Sequence, residues 1–187
     1  MLFRSGLDSV SAFNKKANDL YKSEEMKKVL TGKEKISNEE MSQQENFRNN
    51  FVLKDLKWWT AEIKILNQTK NKNDERAQMN KRLLSYLSLL AYMNCSADLQ
   101  QKQFDLLETH LKIYEMAEPS NSEHQYMYAE LSVVKKEDKK VFSYLDKAVK
   151  LGFMDISRLE SDSLFSDFRK THEYPKLLEK FKIDFQF

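Results

Sequence analysis

The sequence predicts an all-α fold of consecutive antiparallel helical hairpins, with about seven or eight helices. The chain of 187 residues contains only three glycines and two prolines. These are too few for an all-β fold, which needs turn residues at short and regular spacing. Apolar residues recur at steps of three and four, which is the spacing of the buried side of an α-helix. In addition, the segment Ser88–Asp155 repeats itself at a spacing of 34 residues.

This repeat consists of two helix–turn–helix units. Each unit places a small residue where its two helices cross, an apolar stripe on its second helix, and a helix-ending residue after that helix. A period of this length with this content is typical of a solenoid of helical hairpins. The pairs that lie 34 positions apart are Cys95 and Ala129, Leu107 and Val141, Leu111 and Leu145, Tyr114 and Ala148, and Pro119 and Phe153.

The N-terminal part of the chain lies outside this repeat. Leu7–Leu30 is a predicted helix because its apolar residues recur at three- and four-residue steps, and Gly32 suits the end of that helix. Thr31–Glu45 is mostly polar and is expected to form a linker. We therefore divide the chain into residues 1–46, an N-terminal helix with a polar linker, and residues 47–187, the helical repeat domain.

Two predicted helices begin the repeat domain. Phe47–Asn67 is the first, and the polar loop Asn67–Asp74 separates it from a helix over Glu75–Ser96. The run LLSYLSLLAYM makes this second helix apolar nearly all round, so we expect it to lie at the centre of the core. Asp98 is expected to cap the helix that follows, which runs to about Ala117.

Helix-ending residues divide the second half of the chain. Pro119 cannot continue a helix, so the next helices are predicted over Ser122–Val134 and Asp138–Leu151. Gly152 suits the left-handed conformation past a helix end, and Asp155 is expected to begin a short element. The residues expected to complete the end of the stack are Leu164, Phe165 and Phe168, with Pro175 in the first turn of the last helix.

The stretch MAEPSNSEHQYMYAELSVVKKEDKKVFSYLDKAVKLGFMD resembles a tetratricopeptide unit. Ala129 takes the small position of the first helix, and Pro119 ends the preceding unit. Two positions differ from the family pattern, since Gln125 replaces an aromatic residue and Ser132 replaces a tyrosine. The packing positions of the second helix are occupied by Val141, Leu145 and Ala148.

The C-terminal stretch AVKLGFMDISRLESDSLFSDFRKTHEYPKLLEKF is similar to the segment that closes the stack in many bacterial tetratricopeptide proteins. Together the two stretches and the weaker preceding unit cover about residues 81–181. The resemblance implies a right-handed superhelix of hairpins. It also implies a protein or peptide partner and no catalytic activity.

Composition excludes several classes of protein. The net charge of +2 provides no general attraction to nucleic acid or to an anionic membrane. A single cysteine, Cys95, excludes an internal disulfide framework and a cysteine-rich zinc site. No apolar run is long enough for a transmembrane helix, and the start MLFRSGLDSV lacks the apolar segment of a signal peptide. A cytoplasmic protein fits these features, as does a periplasmic or secreted protein whose leader has been removed.

No catalytic, metal-binding or cofactor-binding constellation is recognisable in the sequence. His110, His124 and His172 have no histidine or cysteine at the spacing of a helical metal site. The three glycines are isolated and form no phosphate-binding loop. We therefore expect no enzyme activity, no cofactor and no metal.

Three other side chains have a structural interpretation. Cys95 is expected to be a small buried residue at a helix crossing, and unreactive. Trp58 and Trp59 are expected to pack under the first hairpin. The alternative is that one ring is exposed and serves as an aromatic anchor for a binding partner.

The tetratricopeptide resemblance implies a binding groove lined by first helices. Carried over to this sequence, the groove positions are Tyr92, Ser96, Tyr126, Glu130 and Val133. Tyrosine offers a flat apolar surface with one polar group, which suits peptide binding. The alternative is that both tyrosine rings pack between helices.

Three functions remain open at this point. The first is a non-catalytic scaffold that binds a protein or peptide in the groove, which an open groove lined by tyrosines would favour. The second is a structural accessory module of a larger bacterial envelope or secreted protein, which a filled groove would favour. The third is a hydrolase or metal-dependent enzyme, which a pocket joining His110 and His124 to a carboxylate would favour.

Overall fold

The computed structural model describes residues 32–69 and 74–184, together with residues 13, 15–17 and 19. The described residues form eight α-helices and two short 3-10 helices, with no strand among them. The α-helices are α1 (Gly32–Asn50), α2 (Leu56–Thr69), α3 (Glu75–Gln101), α4 (Phe104–Ala117), α5 (Glu123–Val134), α6 (Asp138–Lys150), α7 (Ile156–Ser161) and α8 (Glu173–Asp184). The 3-10 helices are Ser163–Phe165 and Phe168–Lys170. The all-α prediction is therefore confirmed.

Helices α3 and α4 form an antiparallel hairpin. Their contacts, from the connection outward, are Asp98 with His110, Tyr92 with Tyr114, and Ser88 with Glu118. Residue numbers on α3 fall as those on α4 rise, which only an antiparallel pair allows. Helices α5 and α6 form the next pair, in which the ring of Tyr128 stacks on that of Tyr144 at 5.0 Å. A connection of only a few residues between them also favours antiparallel packing.

Helix α5 separates two apolar cores. The first core is formed by α1–α4 and takes Met127 and Leu131 from α5. The second is formed by α6, α7, α8 and the 3-10 helices, and it takes Tyr126 and Ala129 from α5. Residues 124–132 of α5 are all buried. The helix buried on every side is therefore α5, whereas the apolar helix α3 keeps an exposed side.

Residues 32–50 form helix α1, so the expectation of a polar linker over Thr31–Glu45 was wrong. Gly32 is the first described residue of this helix, and the helix that it was expected to end lies largely outside the described residues. The local pattern contains few apolar residues, but Phe47 is buried in the first core and Ile36 packs against that core. Two ion pairs also join α1 to α3: Glu39 with Arg76 at 2.9 Å, and Glu40 with Arg82 at 2.6 Å. Tertiary contacts stabilise a helix that its own sequence indicates only weakly.

The predicted helix Phe47–Asn67 is divided between α1 and α2. Asp55 marks the division, because its carboxylate accepts a hydrogen bond of 2.9 Å from the backbone N–H of Trp58 and so caps α2. The proposed boundary between residues 46 and 47 consequently falls inside α1. The predicted helix Leu7–Leu30 lies largely outside the described residues, and the few positions described within it are helical.

Asp98 lies inside α3 and does not cap the next helix, as the sequence had suggested. Helix α3 continues to Gln101 and ends at Lys102, which adopts the left-handed conformation with φ of 58°. The buried carboxylate of Asp98 accepts a hydrogen bond from Nδ1 of His110 at 2.6 Å. The partner of Asp98 is therefore a side chain on the neighbouring helix, twelve residues away.

Several predicted structural residues take their expected positions. Cys95 is fully buried in the first core, where Trp59 is buried and Trp58 packs against it half-buried. The two indole rings meet edge to face at 4.7 Å. Gly152 follows α6 with φ of 93°, and the backbone N–H of the next residue, Phe153, bonds back to the helix. None of the described helices is long and apolar enough to cross a membrane.

Candidate functional site

An apolar strip lies on the exposed side of α3. Leu89, Tyr92 and Met93 are 56%, 38% and 59% exposed, although the opposite side of the same helix is buried in the first core. Leu89 lies three positions before Tyr92 and four positions before Met93, so the three side chains lie on one side of the helix. Helices α1, α2 and α4 cover the other sides of α3 and leave this face open.

The strip borders a cavity of about 360 Å³ between the two hairpins. The cavity is open to solvent, and residues at the start of α5 and one side chain of α7 line it opposite α3. Its lining, which we call the α3 groove, comprises Ser85, Ser88, Leu89, Tyr92, Tyr114, Glu118, Asn121, Glu123 and Arg158. The volume is at the low end of the range for small-molecule pockets, and it is sufficient for one or two side chains of a peptide ligand.

Glu118 provides a carboxylate in a fixed position on the wall of the groove. One of its oxygens, Oε2, accepts hydrogen bonds from Oγ of Ser88 at 2.5 Å and from Nδ2 of Asn121 at 3.0 Å. Asn121 is itself oriented, because its Oδ1 accepts from the backbone N–H of Glu123 at 2.9 Å. The carboxylate is therefore half-buried and preorganised before any ligand arrives.

Glu123 and Arg158 form an ion pair at the other end of the groove. Nη1 of Arg158 lies 2.6 Å from Oε1 of Glu123, and the guanidinium lies 4.0 Å above the ring of Tyr126. The charge of Glu123 is therefore largely balanced, whereas the partners of Glu118 in the groove are neutral. The negative charge of the groove is concentrated at Glu118.

Aromatic rings connect the strip to the interior. Tyr92 contacts Tyr114 edge to face at 6.2 Å, and Tyr114 contacts His124 in the same way at 5.5 Å. Burial raises the pKa of the Tyr114 phenol and lowers the pKa of the His124 imidazole, so both rings are neutral near pH 7. Tyr92 is thus an exposed ring on a rigid and uncharged support.

A buried polar network lies behind Arg158. Nη2 of Arg158 is 3.7 Å from Oε1 of Glu130, and the hydroxyl of Tyr126 donates to Oδ2 of Asp162 at 3.2 Å. The pKa of Glu130 is raised to about 8, chiefly by desolvation; Arg158 opposes this shift, and Asp162 and Glu123 add to it. Glu130 is consequently protonated at neutral pH, and its Oε2 has no hydrogen-bond partner among the described residues.

The structure separates the five groove residues that the family resemblance implied. Tyr92 lines the α3 groove, and Ser96 lies half-buried one turn further along α3. Tyr126 and Glu130 are buried and cannot contact a ligand in the groove, which corrects their assignment. Val133 packs against the second core and does not line the groove.

The segment that follows α6 explains this correction. Phe153 stacks on Tyr126 at 4.7 Å, and Phe165 contacts the same ring at 5.4 Å. Arg158 lies above it. The C-terminal segment therefore covers the side of α5 that would continue the groove, and the exposed part is confined to α3.

Sequence reasoning missed most of the remaining lining. Leu89 precedes Tyr92 by three residues, so the helical period alone would have placed it beside that ring. Glu118 and Asn121 flank Pro119, but no local pattern indicates which way their side chains point. Arg158 reaches the groove only because the chain after α6 folds back on α5, which is a tertiary effect.

His110 and His124 contact different partners. His110 contacts Asp98 and the ring of Phe51, whereas His124 contacts Gln125 and the ring of Tyr114. Both imidazoles are buried. No group of three or more metal-ligating side chains is found in the described part of the chain.

A second cavity, of about 390 Å³, lies between α4, α5 and α6. Three of its four lysines are paired with its own carboxylates, since Lys112 and Lys135 both contact Glu108 and Lys140 contacts Glu137. The fourth, Lys147, has its Nζ 5.2 Å from the centre of the Tyr144 ring. None of its lining residues is an exposed large apolar side chain, whereas the α3 groove combines exposed apolar side chains with one preorganised carboxylate. The sequence matches no protein-family model, no curated protein and no solved structure.

Proposed function

We propose that this protein is a non-catalytic scaffold of tetratricopeptide-like helical hairpins that binds a protein or peptide partner through the α3 groove. The observation that carries the proposal is the exposed strip of Leu89, Tyr92 and Met93 beside the oriented carboxylate of Glu118. The ligand that fits is an apolar side chain followed closely by a lysine or arginine.

Two features of the fold support the repeat-like part of the proposal. Helices α3 and α4 form one antiparallel hairpin, and α5 and α6 form the next. Most residues that lie 34 positions apart are also buried to the same extent: Cys95, Ala129 and Leu111 are fully buried, and Leu145 nearly so. The exception is Pro119, which is exposed where Phe153 is buried. A repeated unit would produce this equivalence.

The chemistry of the groove supports the choice of ligand. Leu89 and Met93 offer apolar area, and Tyr92 adds a rigid ring of the kind that dominates binding energy at protein interfaces. A cationic side chain that reaches Glu118 would form a charge-assisted hydrogen bond without reorganising the carboxylate. An acidic ligand would be repelled by the same carboxylate.

The extent to which the groove is filled distinguishes a ligand-binding scaffold from the second alternative, a structural module without a ligand. The C-terminal segment fills the part of the groove over α5, as such a module would require. The part over α3 remains open, with a cavity of about 360 Å³ and three exposed apolar side chains. The open part favours a ligand.

Selection from a library of random peptides displayed on phage tests this function. We expect the enriched peptides to contain an apolar residue within one helical turn of a lysine or arginine. Binding should fall by about tenfold or more in a variant that carries Leu89→Ser and Met93→Ser, because the strip is the main apolar contact. Both residues are exposed, so the variant should remain folded.

A matched control is the double variant Leu151→Ser and Met154→Ser, which removes an exposed apolar pair beyond the end of α6. It should bind the selected peptides as well as the wild type does. Enrichment of acidic peptides, or equal loss of binding in both variants, would show that the α3 groove is not the binding site.

A further inference from the structure

The turn between α1 and α2 contains three consecutive apolar residues, of which the first is buried and the other two are exposed. Phe51 is buried, whereas Val52 and Leu53 are 65% and 74% exposed. Isolated exposed apolar residues are common on protein surfaces. An adjacent pair at the tip of a turn is unusual enough to need an explanation.

The turn is too well fixed to hide this pair by a local movement. The backbone N–H groups of Leu53 and Lys54 both donate to the carbonyl of Asn50, at 3.1 and 3.0 Å. The ring of Phe51 is held between Trp59, at 5.4 Å, and His110, at 4.8 Å. Burial of Val52 and Leu53 would require Phe51 to leave the core, so the turn presents them permanently to the outside.

Positive charge surrounds the exposed pair. The cations from residue 48 to residue 64 are Arg48, Lys54, Lys57 and Lys64, all of them exposed. None of them forms a salt bridge with another residue that the structure describes. The same stretch contains two carboxylates, Asp55 and Glu62, and that of Asp55 caps α2. These seventeen residues therefore have a net charge of +2, which equals the net charge of the whole chain.

The exposed face of α2 continues this pattern. Lys57, Ala61, Lys64 and Ile65 are exposed and lie at steps of three and four, so they share one helix face. Trp58, at the start of the helix, is half-buried, with Nζ of Lys54 6.0 Å from the centre of its ring. A face with cations, aliphatic side chains and a partly exposed indole is the composition of a helix that lies in a membrane interface.

We propose that this surface attaches the protein peripherally to an anionic lipid bilayer. The surface, which we call the α2 tip, comprises Val52, Leu53, Lys54, Lys57, Lys64 and Ile65. Val52 and Leu53 enter the boundary between headgroups and acyl chains, while the lysines remain at the level of the anionic headgroups. Exposed apolar side chains beside exposed lysines without described salt bridges match the acyl chains and anionic headgroups of such a bilayer.

The proposal does not depend on the peptide-binding function. The α2 tip and the α3 groove share no residue, and Leu89 and Met93 of the apolar strip beside the groove provide a matched apolar pair outside the tip. A variant of one surface therefore serves as the control for the other.

Sedimentation with lipid vesicles tests the proposal on the full chain. We expect binding to vesicles of phosphatidylcholine mixed with phosphatidylglycerol, and about tenfold weaker binding to vesicles of phosphatidylcholine alone. The variant Val52→Ser with Leu53→Ser and the variant Lys54→Glu with Lys57→Glu should each lose about tenfold or more in binding to the anionic vesicles. The variant Leu89→Ser with Met93→Ser should bind as the wild type does, and circular dichroism should show that all three variants are folded.

Fluorescence gives a second measurement that depends on position. Brominated lipids should quench the wild type, and most of this quenching should disappear in Trp58→Phe, because the remaining Trp59 is fully buried in the core. Equal binding to both kinds of vesicle, or unchanged binding of the Val52→Ser and Leu53→Ser variant, would overturn the proposal. In a third outcome, the wild type does not bind vesicles, and light scattering shows a wild-type dimer that is lost in this variant. That result would also overturn the proposal, and it would make the tip a contact between two copies of the chain.

Discussion

Replacement of Glu130 by glutamine should stabilise the protein at neutral pH and leave it unchanged at low pH. Glu130 lies in α5 between the two cores, with its carboxyl group near Arg158 and Asp162. The structure buries this group without a full set of hydrogen bonds. Glutamine has the same shape and carries no charge at any pH.

The sign of the effect follows from the two pKa values of Glu130. In the folded state the pKa is raised, chiefly by desolvation, to about 8, and its ordinary value is 4.5. Between these values the unfolded chain loses the proton while the folded chain keeps it, so stability falls as pH rises. Below pH 4.5 both states are protonated and the penalty vanishes, and above about pH 8 it stays constant.

The magnitude at neutral pH follows from the same two values. Each pH unit within the window contributes about 1.4 kcal/mol, so the wild type should lose about 3 kcal/mol of stability between pH 4.5 and pH 7. The Glu130→Gln variant avoids this loss. It should therefore be more stable than the wild type by about that amount at pH 7, and equally stable at pH 4.

Urea unfolding followed by circular dichroism at several pH values measures this difference. The control is Glu108→Gln, because hydrogen bonds from Lys135 and then Lys112 lower the pKa of Glu108. A lowered pKa contributes stability above the ordinary value that is lost as pH falls, so this control should deviate in the opposite direction. A difference between Glu130→Gln and wild type that does not change with pH would refute the reasoning.

Two further predictions concern the first core. Leu87→Ala should lower the free energy of unfolding in urea by about 2–5 kcal/mol, because Leu87 is fully buried. Leu90→Ala should lower it less, because Leu90 is only half-buried. Equal and small losses in the two variants would mean that α3 is not packed as described. Cys95 should react with a thiol reagent slowly in the native state and completely in denaturant, since burial raises its pKa as well as blocking access. Rapid labelling of the folded protein would show that the helix crossing is open.

Local sequence signals were sufficient for the second half of the fold. Gly152 adopts the left-handed conformation that ends a helix, and Pro119 lies between α4 and α5. These residues act through their own backbone, so their effect does not depend on distant neighbours. The end of α4 and both boundaries of α5 and α6 could therefore be predicted to within a residue or two.

The errors occurred where tertiary contacts decide the structure. Helix α1 is polar, and its ion pairs Glu39–Arg76 and Glu40–Arg82 join residues about forty positions apart, which no local window contains. Asp98 has the composition of a helix cap, but its buried partner His110 lies on the next helix. In each case the contact that decides the structure joins residues on different helices, so a local sequence pattern does not contain it.

The candidate site shows the same limit. Tyr92 could be placed in the groove because the 34-residue register assigns it to the exposed side of a first helix. Tyr126 has the equivalent register position, but Phe153 and Phe165 cover it. The register specifies a position within a hairpin, and it contains no information on how the closing segment packs over the next one.

Nuclear magnetic resonance of the labelled protein during titration with a selected peptide tests the central claim, that the α3 groove is the ligand-binding surface. The amide signals that shift should belong to residues 85–93 of α3 and to residues 118–123, which line the groove. The signals of α2 and α8 should remain unchanged. A set of shifted signals centred on α6 or α8, with those of residues 85–93 unmoved, would contradict the account.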